Sequence, residues 1–157
     1  MIKETLTNLF TNKILWVGVI SNIVAQVLKI FTHIVTYKEF KLRRLVQTGG
    51  MPSSHTATFV GLATAVAIQD GMHSTLFAIS ALLAFLVIYD SCGIRREAGK
   101  HADALNDILA QNHIQNNNET TPPDPFKTLL GHTVPQVIVG AFVGICVALL
   151  VLYVFWT

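Results

Sequence analysis

The chain has 157 residues, of which 52% are hydrophobic and 13% charged, against about 25% charged in ordinary soluble domains. Its net charge of +2, with no basic stripe interleaved with aromatics, excludes a nucleic-acid binder. The two cysteines, Cys92 and Cys146, fall in different segments without metal-ligand spacing and read as packing residues.

These bounds point to a single membrane domain over 1–157: an all-α integral membrane helical bundle with about four transmembrane helices and an amphipathic surface helix. Residues 1–13 are mixed and suit a short interfacial helix. Lys3 and Glu4 precede a long apolar run with no small-residue cleavage site, the pattern of a retained anchor. The run 14–37 is long enough to cross a bilayer at roughly 20 residues per crossing. Asn22, Gln26, Lys29 and His33 interrupt it at spacings of four, three and four, so they share one helical face. Such a stripe belongs against protein or a wet cavity, the alternative being that Lys29 snorkels to the nearer surface.

A basic loop with Lys38, Lys41, Arg43 and Arg44 leads into Gly49-Gly50-Met51-Pro52-Ser53-Ser54-His55. The glycines permit a tight turn, Pro52 suits the first turn of a helix, and free amides at such a start attract phosphate. Ser53 and Ser54 add hydroxyl donors, and His55 can exchange a proton. The plainer alternative is a capped helix with a chance histidine. An apolar helix over about 52–69, rich in Ala, Gly and Thr, a turn at Asp70–His73 and a third helix over about 74–90, ending at Asp90, come next. The stretch 95–111 is amphipathic, with Ala98, Ala102, Leu105 and Leu109 on one face, and predicts a helix along the membrane surface. Residues 112–125, with three consecutive asparagines and three prolines, predict a flexible loop without chemistry. A last membrane helix covers about 134–156, with Gly140 and Gly144 as a small-residue face and Tyr153 and Trp156 as an aromatic belt. His73, His101 and His113 read as exposed turn or surface-helix residues.

With four crossings, the loops after the first and third helices share a side that carries eight of the eleven Lys and Arg residues. The positive-inside rule puts that side in the cytoplasm, giving an integral protein of a bacterial inner membrane with its site toward the cytoplasm. Gly131-His132-Thr133-Val134-Pro135 opens the last helix from the same side, with Thr133 as a cap and Pro135 in the first turn. Two histidines at two positive helix ends can converge on one phosphoryl group, one attacking phosphorus and the other protonating the leaving oxygen.

Three blocks, Gly-Gly-Met-Pro-Ser-Ser-His at 49–55, Asp90 with Arg95, Arg96 and Gly99, and Leu-Gly-His-Thr at 130–133, resemble the divergent branch of the type 2 phosphatidic acid phosphatase superfamily. That branch is described as related to acid phosphatases and vanadium-dependent haloperoxidases. The resemblance implies that His55 is the general acid, with Ser54 where the wider superfamily has glycine, and that His132 becomes the phosphohistidine. It further implies that Gly131, Ser53 and Ser54 line the phosphate site and that Lys29 serves as the first-motif lysine. Two departures stand out: Gln136 replaces the carboxylate that orients the second histidine, and Pro125 and Phe126 replace a Ser-Arg pair. Arg95 and Arg96 are therefore expected to supply the phosphate clamp, with Asp90 orienting one of them or His132. Adjacent helical residues point about 100° apart, so a single arginine is expected to reach the phosphate.

The implied function is hydrolysis of a lipid phosphomonoester or diphosphate, with phosphatidylglycerophosphate as first choice and undecaprenyl diphosphate as alternative, no metal and no cofactor. Gly99-x3-Asp103-x3-Asp107 also matches the tail of the CDP-alcohol phosphotransferase signature, a magnesium-dependent alternative. A non-enzymatic scaffold or transporter subunit would explain the polar stripe alone. Four short helices make a thin shell, compatible with a homo-oligomer.

Overall fold

The structure is a computed structural model and describes residues 2–38, 50–115, 125–128 and 130–155. Lys41, Arg43, Arg44, Gly49, the stretch 116–124 and Trp156 lie outside the described residues. Among the described residues six helices run in order: α1 (Ile2–Phe10), α2 (Lys13–Tyr37), α3 (Ser54–Gln69), α4 (Thr75–Cys92), α5 (Ile94–Gln115) and α6 (Val134–Phe155). α5 continues past the expected end near 111, so residues 112–115 are helical rather than loop.

Side-chain polarity at the ends explains where the helices start. Asn12, Ser53 and Ser74 each accept the amide of the residue three positions on, which satisfies a donor that has no partner inside the helix. Ser53 is therefore the cap of α3, and Pro52 stands one residue before the cap, not in the first turn as the sequence suggests.

α3 is the axis of the bundle and packs against α2, α4 and α6. Its buried face is built from Ala57, Gly61, Ala63 and Ala65, small residues that let backbones approach where lipid supplies no hydrophobic drive between helices. A methyl group on Gly61 would lie 2.5 Å from the Ser21 hydroxyl and 3.2 Å from the Gly144 carbonyl. Gly140 and Gly144 thus pack α6 onto α3 inside the bundle. Below them Val17, Ala65, Val147, Ala148 and Val151 form the apolar core.

Large apolar side chains cover the outside, with Leu82, Phe85, Phe142 and Tyr153 all mostly exposed. A water-soluble domain does not leave a belt of this kind uncovered, whereas acyl chains do cover it. Among the described residues three helical stretches are long and apolar enough to cross a membrane by themselves: Lys13–Thr36, the segment Thr75–Gln111 that contains α4, and Val134–Val154. α3, packed among them, has 16 residues, about 24 Å at 1.5 Å per residue, against a hydrocarbon core of about 30 Å. It is the short member of the helical membrane bundle.

The polar stripe of α2 turns inward. Lys29 is 5% exposed and does not snorkel, and Asn22 donates to the Thr58 hydroxyl of α3 at 3.0 Å.

Candidate active site

Main-chain contacts assemble the site. The Ser53 N–H donates to the Gln136 carbonyl at 3.1 Å, which ties the start of α3 to the first turn of α6. A methyl group on Gly140 would come within 2.6 Å of the Ser53 carbonyl, so the two helices meet there backbone to backbone. The approach to α6 runs along α5. Asn106 brackets Phe126 with two side-chain hydrogen bonds, of 3.0 and 2.8 Å, and a methyl on Gly99 would lie 2.6 Å from the Thr128 carbonyl. At Gly131 the backbone enters the left-handed region with φ of 78°. Its α-carbon faces the α4–α5 junction so closely that a side chain would meet the Arg96 amide at 2.6 Å and the Ser91 carbonyl at 2.9 Å. Only glycine accepts that geometry without strain.

His132 follows, held at two points by one residue. Its N–H donates to the Ser91 carbonyl at 3.0 Å, and its Nδ1 lies 3.0 Å from the Ser91 hydroxyl in a buried contact. The ring is 5% exposed, and Nε2 is buried with no hydrogen-bond partner. Burial, with Lys29, His55 and Arg95 adding positive charge nearby, pushes the His132 imidazole down to about 4, so the ring is neutral at physiological pH.

In front of His132 lies a cavity of about 210 Å³, lined by His55, Asp90, Ser91, Arg95, Gly131 and His132 with Phe59 and Val87 as apolar walls. The two histidines, 77 positions apart in sequence, share this space. Asp90 forms an ion pair with the Nε of Arg95. The carboxylate therefore orients the arginine, while the hydroxyl of Ser91 contacts His132. A second cavity of about 350 Å³ lies on the other side of the Gly131–His132 wall, with Arg96, Lys100, Asp103, Thr133 and Gln136 around it. The adjacent arginines thus part company, one to each cavity, as their helical offset requires.

Several expected site residues are placed differently. Ser53 and Ser54 are buried and line neither cavity; the Ser53 hydroxyl caps α3 and accepts from the Thr56 hydroxyl at 3.0 Å. Lys29 also lines neither cavity, although its charge is felt at His132. The Gln136 side-chain oxygen accepts the Thr133 N–H at 3.0 Å, closing the start of α6 with one of the two bonds of a capping box, and so is engaged away from His132. Ser91 was not singled out by the sequence, and its one signal there is a hydroxyl directly after Asp90 at the end of an apolar run. Among the described residues no three His, Cys, Asp or Glu side chains come together as metal ligands, Asp103 and Asp107 included.

A family model described as "Divergent PAP2 family" matches residues 10–147. The chain belongs to that family. It is also 34% identical over 155 residues to a protein of Bacillus subtilis (strain 168) called "Uncharacterized membrane protein YuiD", a match that covers 94% of this chain and 98% of the relative. No solved structure matches the chain. Membership in the Divergent PAP2 family carries a relation to phosphatases, and the matched segment contains both histidines and both arginines.

Proposed function

We propose that this protein hydrolyses a phosphate ester or anhydride on a membrane lipid, with His132 as nucleophile and His55 as general acid. The observation that carries the reading is the buried Nε2 of His132, without a partner, on a cavity that also holds His55 and Arg95. An imidazole is a competent nucleophile only when neutral, and burial among positive charges keeps this one so. In the first step the Nε2 lone pair attacks phosphorus, the bond to the leaving oxygen breaks, and protonated His55 delivers its proton to that oxygen. In the second, neutral His55 takes a proton from water, whose oxygen attacks phosphorus and breaks the P–N bond, releasing phosphate and restoring both rings. Arg95, aimed by Asp90, neutralises the charge that builds on the equatorial oxygens.

The second cavity favours a substrate with two anionic groups. Arg96 and Lys100 stand beside it while Arg95 serves the first, an arrangement that suits the phosphodiester and terminal phosphate of phosphatidylglycerophosphate. A cytoplasmic position in a bacterial inner membrane follows from the basic residues on the site's side, among them Lys38, Arg95, Arg96, Lys100 and Lys127. That leaflet supports the same substrate over undecaprenyl diphosphate.

The test is phosphate release by the purified protein from a panel of lipid phosphates in detergent, with and without vanadate, which mimics pentacovalent phosphorus. Turnover of phosphatidylglycerophosphate that vanadate blocks is expected. No release from any lipid, or release insensitive to vanadate, would defeat the proposal.

A further inference from the structure

We propose that Ser91 is the positioning residue for His132: its hydroxyl accepts the Nδ1 hydrogen and so keeps the Nε2 lone pair directed at the substrate. This rests on the phosphatase reading and supplies what that reading lacks, since the orienting carboxylate expected four residues after the histidine is replaced by Gln136. The replacement does not do the job, because its amide oxygen is already occupied by the Thr133 N–H.

The geometry points to Ser91 on three counts. Its hydroxyl lies 3.0 Å from Nδ1, and its carbonyl accepts the His132 N–H at 3.0 Å, so one residue fixes both the backbone and the ring. Both side chains are shielded from water, Ser91 at 4% and His132 at 5% exposure, which leaves solvent no part in setting the ring's hydrogen positions. The neighbouring carboxylate, Asp90, is paired with Arg95. In a neutral imidazole one nitrogen carries hydrogen and the other a lone pair, and a serine hydroxyl can accept from the first or donate to the second. With the hydroxyl accepting at Nδ1, the buried and unpartnered Nε2 holds a lone pair rather than an orphaned N–H, the rarer and costlier of the two in a folded interior. Nδ1 keeps its hydrogen throughout: attack forms the P–N bond at Nε2, the ring becomes cationic, and the Ser91 oxygen receives a stronger hydrogen bond until hydrolysis restores the neutral ring. A hydroxyl does this by its dipole alone, without the full charge a carboxylate brings to the same place.

The experiment compares wild type, Ser91→Ala and Ser91→Thr as full-length protein in detergent, by turnover and by nitrogen NMR of 15N-histidine-labelled samples. The His132 signals are assigned from a His132→Gln variant. Ser91→Ala should lower kcat about 10- to 100-fold, the usual effect of removing the partner of a working histidine, with KM little changed. It should also convert His132 from the Nδ1–H form to a mixture of both. Ser91→Thr, which retains the hydroxyl, should keep the Nδ1–H form and most of kcat. A wild-type ring with hydrogen on Nε2, or a folded Ser91→Ala protein with unchanged tautomer and kcat, would overturn the assignment. If Ser91→Ala does not fold, loss of the Nδ1–H form in folded Ser91→Thr does so instead. Absence of lipid phosphatase activity in wild type would defeat the phosphatase reading alone, and the ring signals would still decide the placement of the hydrogen.

Discussion

At the start of α3 the histidine follows its cap and stands in the first turn, exposed; at the start of α6 it precedes the cap and is 5% exposed. His55 is exposed and lines the cavity, whereas His132, which lines the same space, is clasped by Ser91 with its Nε2 buried and unpartnered. In sequence the two segments look like variants of one device, a small-residue turn, a hydroxyl cap and an imidazole before an apolar run. The difference suits the two roles proposed for them: a ring that attacks gains from burial and fixed orientation, and a ring that trades protons gains from solvent.

That division can be broken most forcefully at the attacking ring. His132→Ala should cut turnover of any phosphate ester by on the order of 10³-fold or more, whatever the leaving group. His55→Ala should cost about 10²–10⁴-fold on a lipid substrate, the range for a general acid. It should cost far less on p-nitrophenyl phosphate, whose phenolate leaves without a proton. Equal losses for the two variants on the activated ester would erase the distinction.

A subtler test uses pH. His132 must be neutral to attack, and burial with nearby positive charge has brought its value down to about 4; the free side chain titrates near 6.5. The acid limb of kcat/KM that reports His132 is therefore expected near pH 4. Lys29 contributes to the depression, so Lys29→Met, by removing a positive charge, should let the ring hold its proton more readily and move that limb to higher pH. An unmoved or downward-moving limb would show that the charge of Lys29 does not reach the ring. The smallest effect is expected at Asp90→Asn. The Asp90–Arg95 pair is partly open to solvent, at 32% and 50% side-chain exposure, so its loss should change stability by under about 1 kcal/mol. The freed arginine should lower kcat and kcat/KM together by up to about tenfold, as loss of a transition-state interaction predicts.

The helices were legible because apolar runs of the right length leave few alternatives, and spacing put the polar residues of α2 on one face, while the burial of Lys29 was needed to decide that the face turns inward. The family blocks brought His55, His132, Asp90, Arg95 and Gly131 to one cavity, and helical geometry separated Arg95 from Arg96. What the sequence concealed were contacts set by packing. Ser91 lies 41 positions from His132, and no local pattern pairs them; the pairing follows from the way 125–128 and Leu130 lie against α5 and Gly131 presses on the α4–α5 junction. The use of Gln136 was likewise hidden, because a residue in the first turn of a helix can serve either a neighbouring side chain or the helix's own start, and here it serves the latter. Ser53 and Ser54 read as donors for phosphate, yet capping and burial engage them first. α3 has the composition of a membrane helix and falls short only in its number of residues.

The stitch between the two helix starts, from the Ser53 amide to the Gln136 carbonyl, uses no side chain at either end. Neither does the bond from the His132 amide to Ser91. The spacing of the two histidines is thus written into the peptide framework, and the apolar walls Phe59 and Val87 hang from it as interchangeable fittings. Exchanging either wall should therefore alter what the cavity accepts without displacing the rings.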